Sequence, residues 1–362
     1  YESTTDSFFP SEVGHQTKGE NTVFNMGYQV MKFITALLLL LVLLATLYWD
    51  HLLKIAFIRI DSLKSIKINE LIPGENIPIN ITLVMAYFNL GNITKTTGHH
   101  IRTKNHYWKW MEVYQWVRNP MVFYSDDLET LDLMKVIRQN LSDRTEYIHL
   151  SPEEPTWALS LLNDIESIFS DPNYPKLSPE TVVAKYSCAM HAKYELLVQT
   201  VMRNPFLTPY FAWCDVGLLR LVQTEGKYYF SLPPHFDDNR VSYSLVLGMN
   251  EQYSQWDIVN GAKLWVAGGF VLGRGHLLIS LFEQYKRFTE MFINNKTMAS
   301  DEQVLYMMYL PSNRPKTTVG LQLYSAQGTC DPWFHLALVC IRHLCAYKTT
   351  EFMGETLNTS LS

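Results

Sequence analysis

Apolar positions along this 362-residue chain follow two rhythms: short unbroken runs, and longer stretches in which they recur every three or four residues. The first rhythm predicts strands buried on both faces, the second amphipathic helices. ITLVMAYF, 81–88, predicts a first strand, broken by Asn89 and Gly91. Residues 103–117 place Tyr107, Trp108, Met111, Tyr114 and Trp116 at helical spacing, which predicts a helix whose aromatic stripe is core. PMVFYSDD, 120–127, predicts a second strand ending in carboxylates, with a helix at 128–141 and a third strand, TEYIHL, at 145–150. Helices at 155–169 and 178–203 follow, the latter opened by Ser178 as cap and Pro179 at the first helical position. YFAWC, bounded by Pro209 and Gly217, is too short for a helix and predicts a buried strand that delivers Asp215 at its carboxyl end. Further strands are predicted at 228–232, 243–249 and 263–273, and helices at 274–293, 301–310 and 333–345. Strands alternating with helices imply βαβ units, a mostly parallel central sheet and an α/β class.

The N-terminal part departs from this pattern. Residues 1–32 are polar and aperiodic and predict a flexible tail. Residues 33–49, FITALLLLLVLLATLYW, carry no charge and approach the length of a membrane-spanning helix. A start at Met26 or Met31 would make this segment a secretory signal peptide instead. Leu43 and Ala45 fit a cleavage site poorly, which favours a signal anchor. Residues 50–78 predict a stem, 79–350 the globular domain and 351–362 a C-terminal tail. Flanking charge disagrees with glycosylation signals about sidedness. Lys54, Arg59, Lys64 and Lys67 follow the span and argue for a cytosolic domain, whereas sequons at Asn80, Asn92, Asn140, Asn295 and Asn358 argue for a luminal one. The expectation adopted is a single-pass membrane protein of the Golgi or endoplasmic reticulum with its domain in the lumen.

Composition narrows the chemistry. At 47% hydrophobic residues the chain can bury a large core, and a net charge of −5 without a basic run excludes nucleic acid as a partner. Cys188, Cys214, Cys330, Cys340 and Cys345 show no zinc spacing; Cys330 with Cys340 or Cys345 would suit a disulfide in an oxidising lumen. No phosphate-binding P-loop, G-x-S-x-G or zinc-hydrolase motif is present.

An aspartate at the carboxyl end of a strand, such as Asp215, stands where open α/β sheets bind ligands, though a turn or helix cap uses the same residue. Asp126 and Asp127 have the same two readings. Gly268 and Gly269 interrupt a strand and mark a bulge or a close ligand approach. Asp301 and Glu302, after Ser300, fit the first turn of a helix. His99 and His100 lie in a loop with no partner of ligand type.

TLVMAYFNLG, NPMVFYSDD, AKYSCAMHAKYELL, YFAWCDVG, VAGGFVLG and SDEQVL, in this order, resemble the HtrL/YibB-like family of glycosyltransferase-like proteins. The resemblance implies a GT-A-like fold, the sandwich of nucleotide-diphospho-sugar transferases. It also implies a nucleotide-sugar donor and a glycan, protein or lipid acceptor. It assigns Asp215 to a divalent cation, Mn²⁺ or Mg²⁺, and Asp126, Asp127, Lys193, Gly268 and Gly269 to the donor. Asp301 and Glu302 are the candidates for the catalytic base. Transferases of this fold usually carry Asp-x-Asp; here the second position is Gly217, so any metal would have one carboxylate. A non-catalytic carbohydrate-binding protein on the same fold is the rival expectation.

Overall fold

In the computed structural model, which describes residues 80–95, 101–220, 222, 227–327, 331–342 and 347–352, ITLVMAY forms β1 (Ile81–Tyr87) within an eight-stranded sheet. A small antiparallel ribbon, β2 (Ile93–Thr94) and β3 (Ile101–Arg102), leads into α1 (Lys104–Met111) and a short 3-10 turn. Then come β4 (Met121–Ser125), α2 (Leu128–Ile137), β5 (Thr145–His149), α3 (Trp157–Ser160), α4 (Leu162–Phe169), α5 (Ala184–Arg203) and β6 (Tyr210–Cys214). The second half contains β7 (Arg240–Leu245), α6 (Gln255–Asn260), β8 (Val266–Arg274), α7 (Gly275–Asn294) and α8 (Asp301–Met308). It ends with β9 (Gly320–Ala326), α9 (His335–Arg342) and β10 (Tyr347–Phe352).

The sheet order is β10-β9-β7-β8-β6-β1-β4-β5. Strands β5, β4, β1 and β6 run parallel, as do β7 and β9. Strand β8 is antiparallel to both β6 and β7, and β10 closes the edge antiparallel to β9. Every residue of β4 and β6 is buried, because helices cover both sheet faces. On one face, Ile81, Leu83, Met85, Ala212 and Cys214 pack with Met111 and Tyr114, with Leu131 and Met134 of α2, and with Leu336 of α9. On the other lies α5, tied to β4 by the Tyr124–Thr200 hydroxyl pair at 2.9 Å. Arg138, at the end of α2, is fully buried and donates to Thr145 Oγ1 and to the carbonyls of Tyr114, Val117 and Asn119.

Several sequence expectations are corrected. The 178–203 helix begins at Ala184; Ser178 donates to the Thr94 carbonyl at 2.6 Å and does not cap it. Residues 228–232 form no strand. Tyr228 makes an isolated bridge to Val117, and the Asn119 amide saturates both backbone groups of Phe230, as a neighbouring strand would. β9, α6 and β10 were not anticipated, and β8 breaks the parallel run. Among the described residues no helix is long and apolar enough to cross a membrane, and the 33–49 span lies outside them. His99, His100, Cys330, Cys345 and Asn358 also lie outside; Cys340 is a buried free thiol.

Candidate functional site

Four parallel strands end their carboxyl edges on one side of the sheet, and a cleft of about 120 Å³ opens there beyond β1 and β6. Tyr87 and Phe88 reach it from β1, Trp213 and Asp215 from β6, and Tyr186 from the first turn of α5. Trp110 of α1 lines it as well, together with Tyr107, the one residue of the stripe expected in the core that is cleft wall. Gly217 is there for Trp110: a Cβ at this position would stand 2.9 Å from the indole Cε3. Asp215 itself is half-buried. Its Oδ1 accepts the Trp213 indole N–H at 2.6 Å, and its backbone N–H donates to the Gly269 carbonyl.

Beside Asp215, the irregularity in β8 has a specific use. Pairing with β7 slips between Tyr243 and Ser244, freeing the backbone of Gly268 from that ladder. The Gly268 carbonyl accepts Lys193 Nζ at 2.9 Å and its N–H donates to Glu302 Oε1 at 2.9 Å. Lys193 Nζ stands 2.7 Å from Asp301 Oδ2 in an ion pair whose side chains are 2% and 3% exposed. A Cβ on Gly268 would collide with that carboxylate. The two glycines thus mark a bulge that threads its backbone into a buried charge cluster.

Charge in this cluster is tightly balanced. Burial opposes the Lys193 ammonium, but the Asp301 and Asp215 carboxylates hold its pKa above the ordinary value. Burial pushes Asp301 up against the pull of Lys193. Glu302 is pushed up to about 8, first by burial and then by the Asp301 charge. Beneath them His191 is fully buried, bonded to the Tyr285 hydroxyl at 2.6 Å, and burial with the Lys193 charge lowers it to about 3.

Of the ligand-site candidates singled out from sequence, Asp215 and its neighbour Gly217 line the cleft. Lys193, Gly268, Asp301 and Glu302 come together behind it, with Gly269 joining them to Asp215. Asp127 lies apart as the N-cap of α2, accepting from the Thr130 N–H and paired with Lys104 at 2.8 Å. Asp126 accepts the Asn89 N–H at 2.7 Å, bracing the loop after β1. Sequence reasoning missed Arg102, Trp110, Tyr186 and Arg220 as cleft residues. Tyr186 lies in the AKYSCAMHAKYELL block already marked by the resemblance, whereas Arg220 falls three residues beyond the YFAWCDVG block and carried no such mark.

The molecule is therefore an α/β protein whose mostly parallel sheet presents an aromatic cleft at its carboxyl edge. The family model described as "Bacterial protein of unknown function (HtrL_YibB)" matches residues 79–317, and the chain belongs to that family. No curated protein matches the sequence. Two solved structures are remotely similar in shape. One is mouse xyloside xylosyltransferase 1 in its apo form, at 10% identity, covering 63% of this chain and 81% of that chain with a TM-score of 0.30. The other is core-mannan synthase A of Aspergillus fumigatus in a Mn/GDP form, at 10% identity, 72% and 82% coverage and a TM-score of 0.36.

Proposed function

We propose that this protein is a glycosyltransferase that moves a sugar from a nucleotide donor to a hydroxyl of a glycan, protein or lipid. One observation carries the proposal: a carboxylate, Asp215, stands at the end of a parallel strand in a cleft walled by aromatic rings. Such rings offer flat apolar faces with polar edges, which suit nucleobases and sugars. The crevice outside the carboxyl ends of parallel strands is where open α/β sheets bind nucleotides.

A divalent cation fits this site in one way only. Among the described residues no group of three or more His, Cys, Asp or Glu side chains gathers as a cage. Asp215 has one oxygen engaged by Trp213, so it would hold Mn²⁺ or Mg²⁺ with phosphate oxygens as the remaining ligands. A bound cation would supply charge neutralisation to the leaving diphosphate. Of the two acids behind the cleft, Glu302 keeps partial access to solvent, whereas Asp301 is sealed against Lys193. We assign the acceptor proton to Glu302, which, standing behind the cleft, would take it through one bridging water and becomes a base as pH rises through about 8. The charge balance behind the cleft and the single carboxylate within it favour a second reading, a carbohydrate-binding protein without turnover.

Calorimetric titration of nucleoside diphosphates with Mn²⁺ or chelator tests the donor site. Asp215→Asn should weaken binding in Mn²⁺ by roughly tenfold, about 1.4 kcal/mol, and leave the chelated affinity unchanged. Equal affinities in all four conditions would reduce Asp215 to a turn residue. Release of free sugar from a panel of nucleotide sugars then separates transferase from binder.

A further inference from the structure

Two guanidinium groups face the cleft from separate parts of the chain. Arg102 comes from β3, opposite Ile93 in the ribbon, and Arg220 from the turn after β6. Each carries its guanidinium carbon 5.5 Å from the centre of the Trp110 ring, and Arg220 also lies 4.4 Å from Phe334. Both are half-buried, and among the described residues neither forms an ion pair. The hydrogen bond that orients Arg220 goes to a backbone carbonyl, that of Gly217, at 2.9 Å, which leaves its positive charge uncompensated. Burial lowers the Arg220 pKa and the Arg102 charge lowers it further; Asp331 and Asp215 oppose this from a distance without contact. Stacking on an aromatic ring holds a guanidinium in place while its edge N–H groups remain free for a bidentate acceptor. Like charges with no carboxylate in contact repel each other, and an anion between them would offset that cost.

We infer that Arg102 and Arg220, braced on Trp110, form an anion subsite of the cleft that takes the diphosphate of a nucleotide ligand. This rests on the donor-site reading above and adds to it the groups that bind phosphate. Lys193 was the cation expected from sequence to do this, but its ammonium is committed to Asp301 and Gly268 behind the cleft. Asp215 in the same cleft would repel a bare diphosphate, so the arginines and an Asp215-bound cation would hold the anion from complementary sides.

Full-length protein is titrated with inorganic pyrophosphate and with guanosine diphosphate at low salt, as wild type, Arg102→Gln, Arg220→Gln and the double variant. Arg287→Gln is the control, since Arg287 is exposed on α7 and does not line the cleft. Each single change should weaken pyrophosphate binding by about fivefold or more and the double variant by more than tenfold, with the control within twofold. Should a variant fail to fold, phenylglyoxal labelling of the wild type decides instead: bound pyrophosphate should shield Arg102 and Arg220 and leave Arg287 reactive. Pyrophosphate binding that depends on both arginines, with no nucleotide sugar consumed, keeps the subsite and removes the transferase reading. Sugar transfer with affinities unchanged in the double variant overturns the subsite and leaves the transferase standing. Failure of the wild type to bind either anion, or labelling that ignores it, overturns the subsite as well.

Discussion

Glu302 keeps its proton where an ordinary glutamate loses it, because its carboxylate would be desolvated beside Asp301. Its folded pKa of about 8 lies above the ordinary 4.5, so the stability it contributes is complete below 4.5 and is lost as pH rises through 8. His191 acts in the other direction: lowered from 6.5 to about 3, it contributes stability above 6.5 that is lost as pH falls toward 3. Between 4.5 and 6.5 the two slopes oppose each other, and from 6.5 to 8 only that of Glu302 remains. The melting temperature of the wild type should therefore decline from pH 6.5 to 8, by at most on the order of 1 kcal/mol of stability per pH unit. Glu302→Gln, which cannot ionise, should show a shallower decline; parallel curves for the two proteins would exclude this origin. The same variant should lose the rise of turnover through pH 8, by about 10²- to 10⁴-fold if Glu302 takes the acceptor proton. Sequence could mark Asp301 and Glu302 as a helix start, but burial and a partner 108 positions upstream set their chemistry.

At the scale of elements, the bulged β8 carries the most instructive test, because its adjacent glycines answer to different neighbours. A methyl group on Gly268 meets Asp301 and lies 2.8 Å from Lys193 Nζ, whereas one on Gly269 makes ordinary contact with Asp215 Oδ2 at 3.5 Å. Gly268→Ala should destabilise by about 1–3 kcal/mol, the usual range for an overpacked interior, and Gly269→Ala by well under that. Chemical denaturation of both variants measures the difference, and equal stabilities would show that the charge cluster yields easily. Elements buried on both faces, β1, β4 and β6, were legible because continuous apolar runs of that length have few alternatives. α5 was misplaced at its start because Ser178-Pro179 imitates a helix opening, while Ser178 spends its hydroxyl on the Thr94 carbonyl. In β9, Gln322 sits between Leu321 and Leu323 and bonds the His235 carbonyl at 2.6 Å, a non-local partner that no local pattern announces.

For the whole molecule, sidedness is the open expectation, and the sequons make it measurable. Asn92, Asn140 and Asn295 are exposed, as an acceptor of a bulky glycan must be. We propose that the domain faces the lumen; expression in secretory cells should then give a mobility shift on endoglycosidase treatment. An unchanged band together with protease access from the cytosolic side would place the domain in the cytosol. Sequence alone determined the α/β class, the strand that delivers Asp215 and, through six blocks in order, the family. Those are properties of local runs and their succession, which periodicity and turn residues write directly into the chain. Tertiary structure decided what each charged group faces. It put Lys193 behind the cleft against Asp301, gave Asp127 to a helix cap, and brought Arg102 and Arg220, 118 positions apart, onto one tryptophan. Such meetings depend on strand order and on a bulge whose Gly268 bonds Lys193 of α5 and Glu302 of α8, so the residues themselves carry no local mark of them.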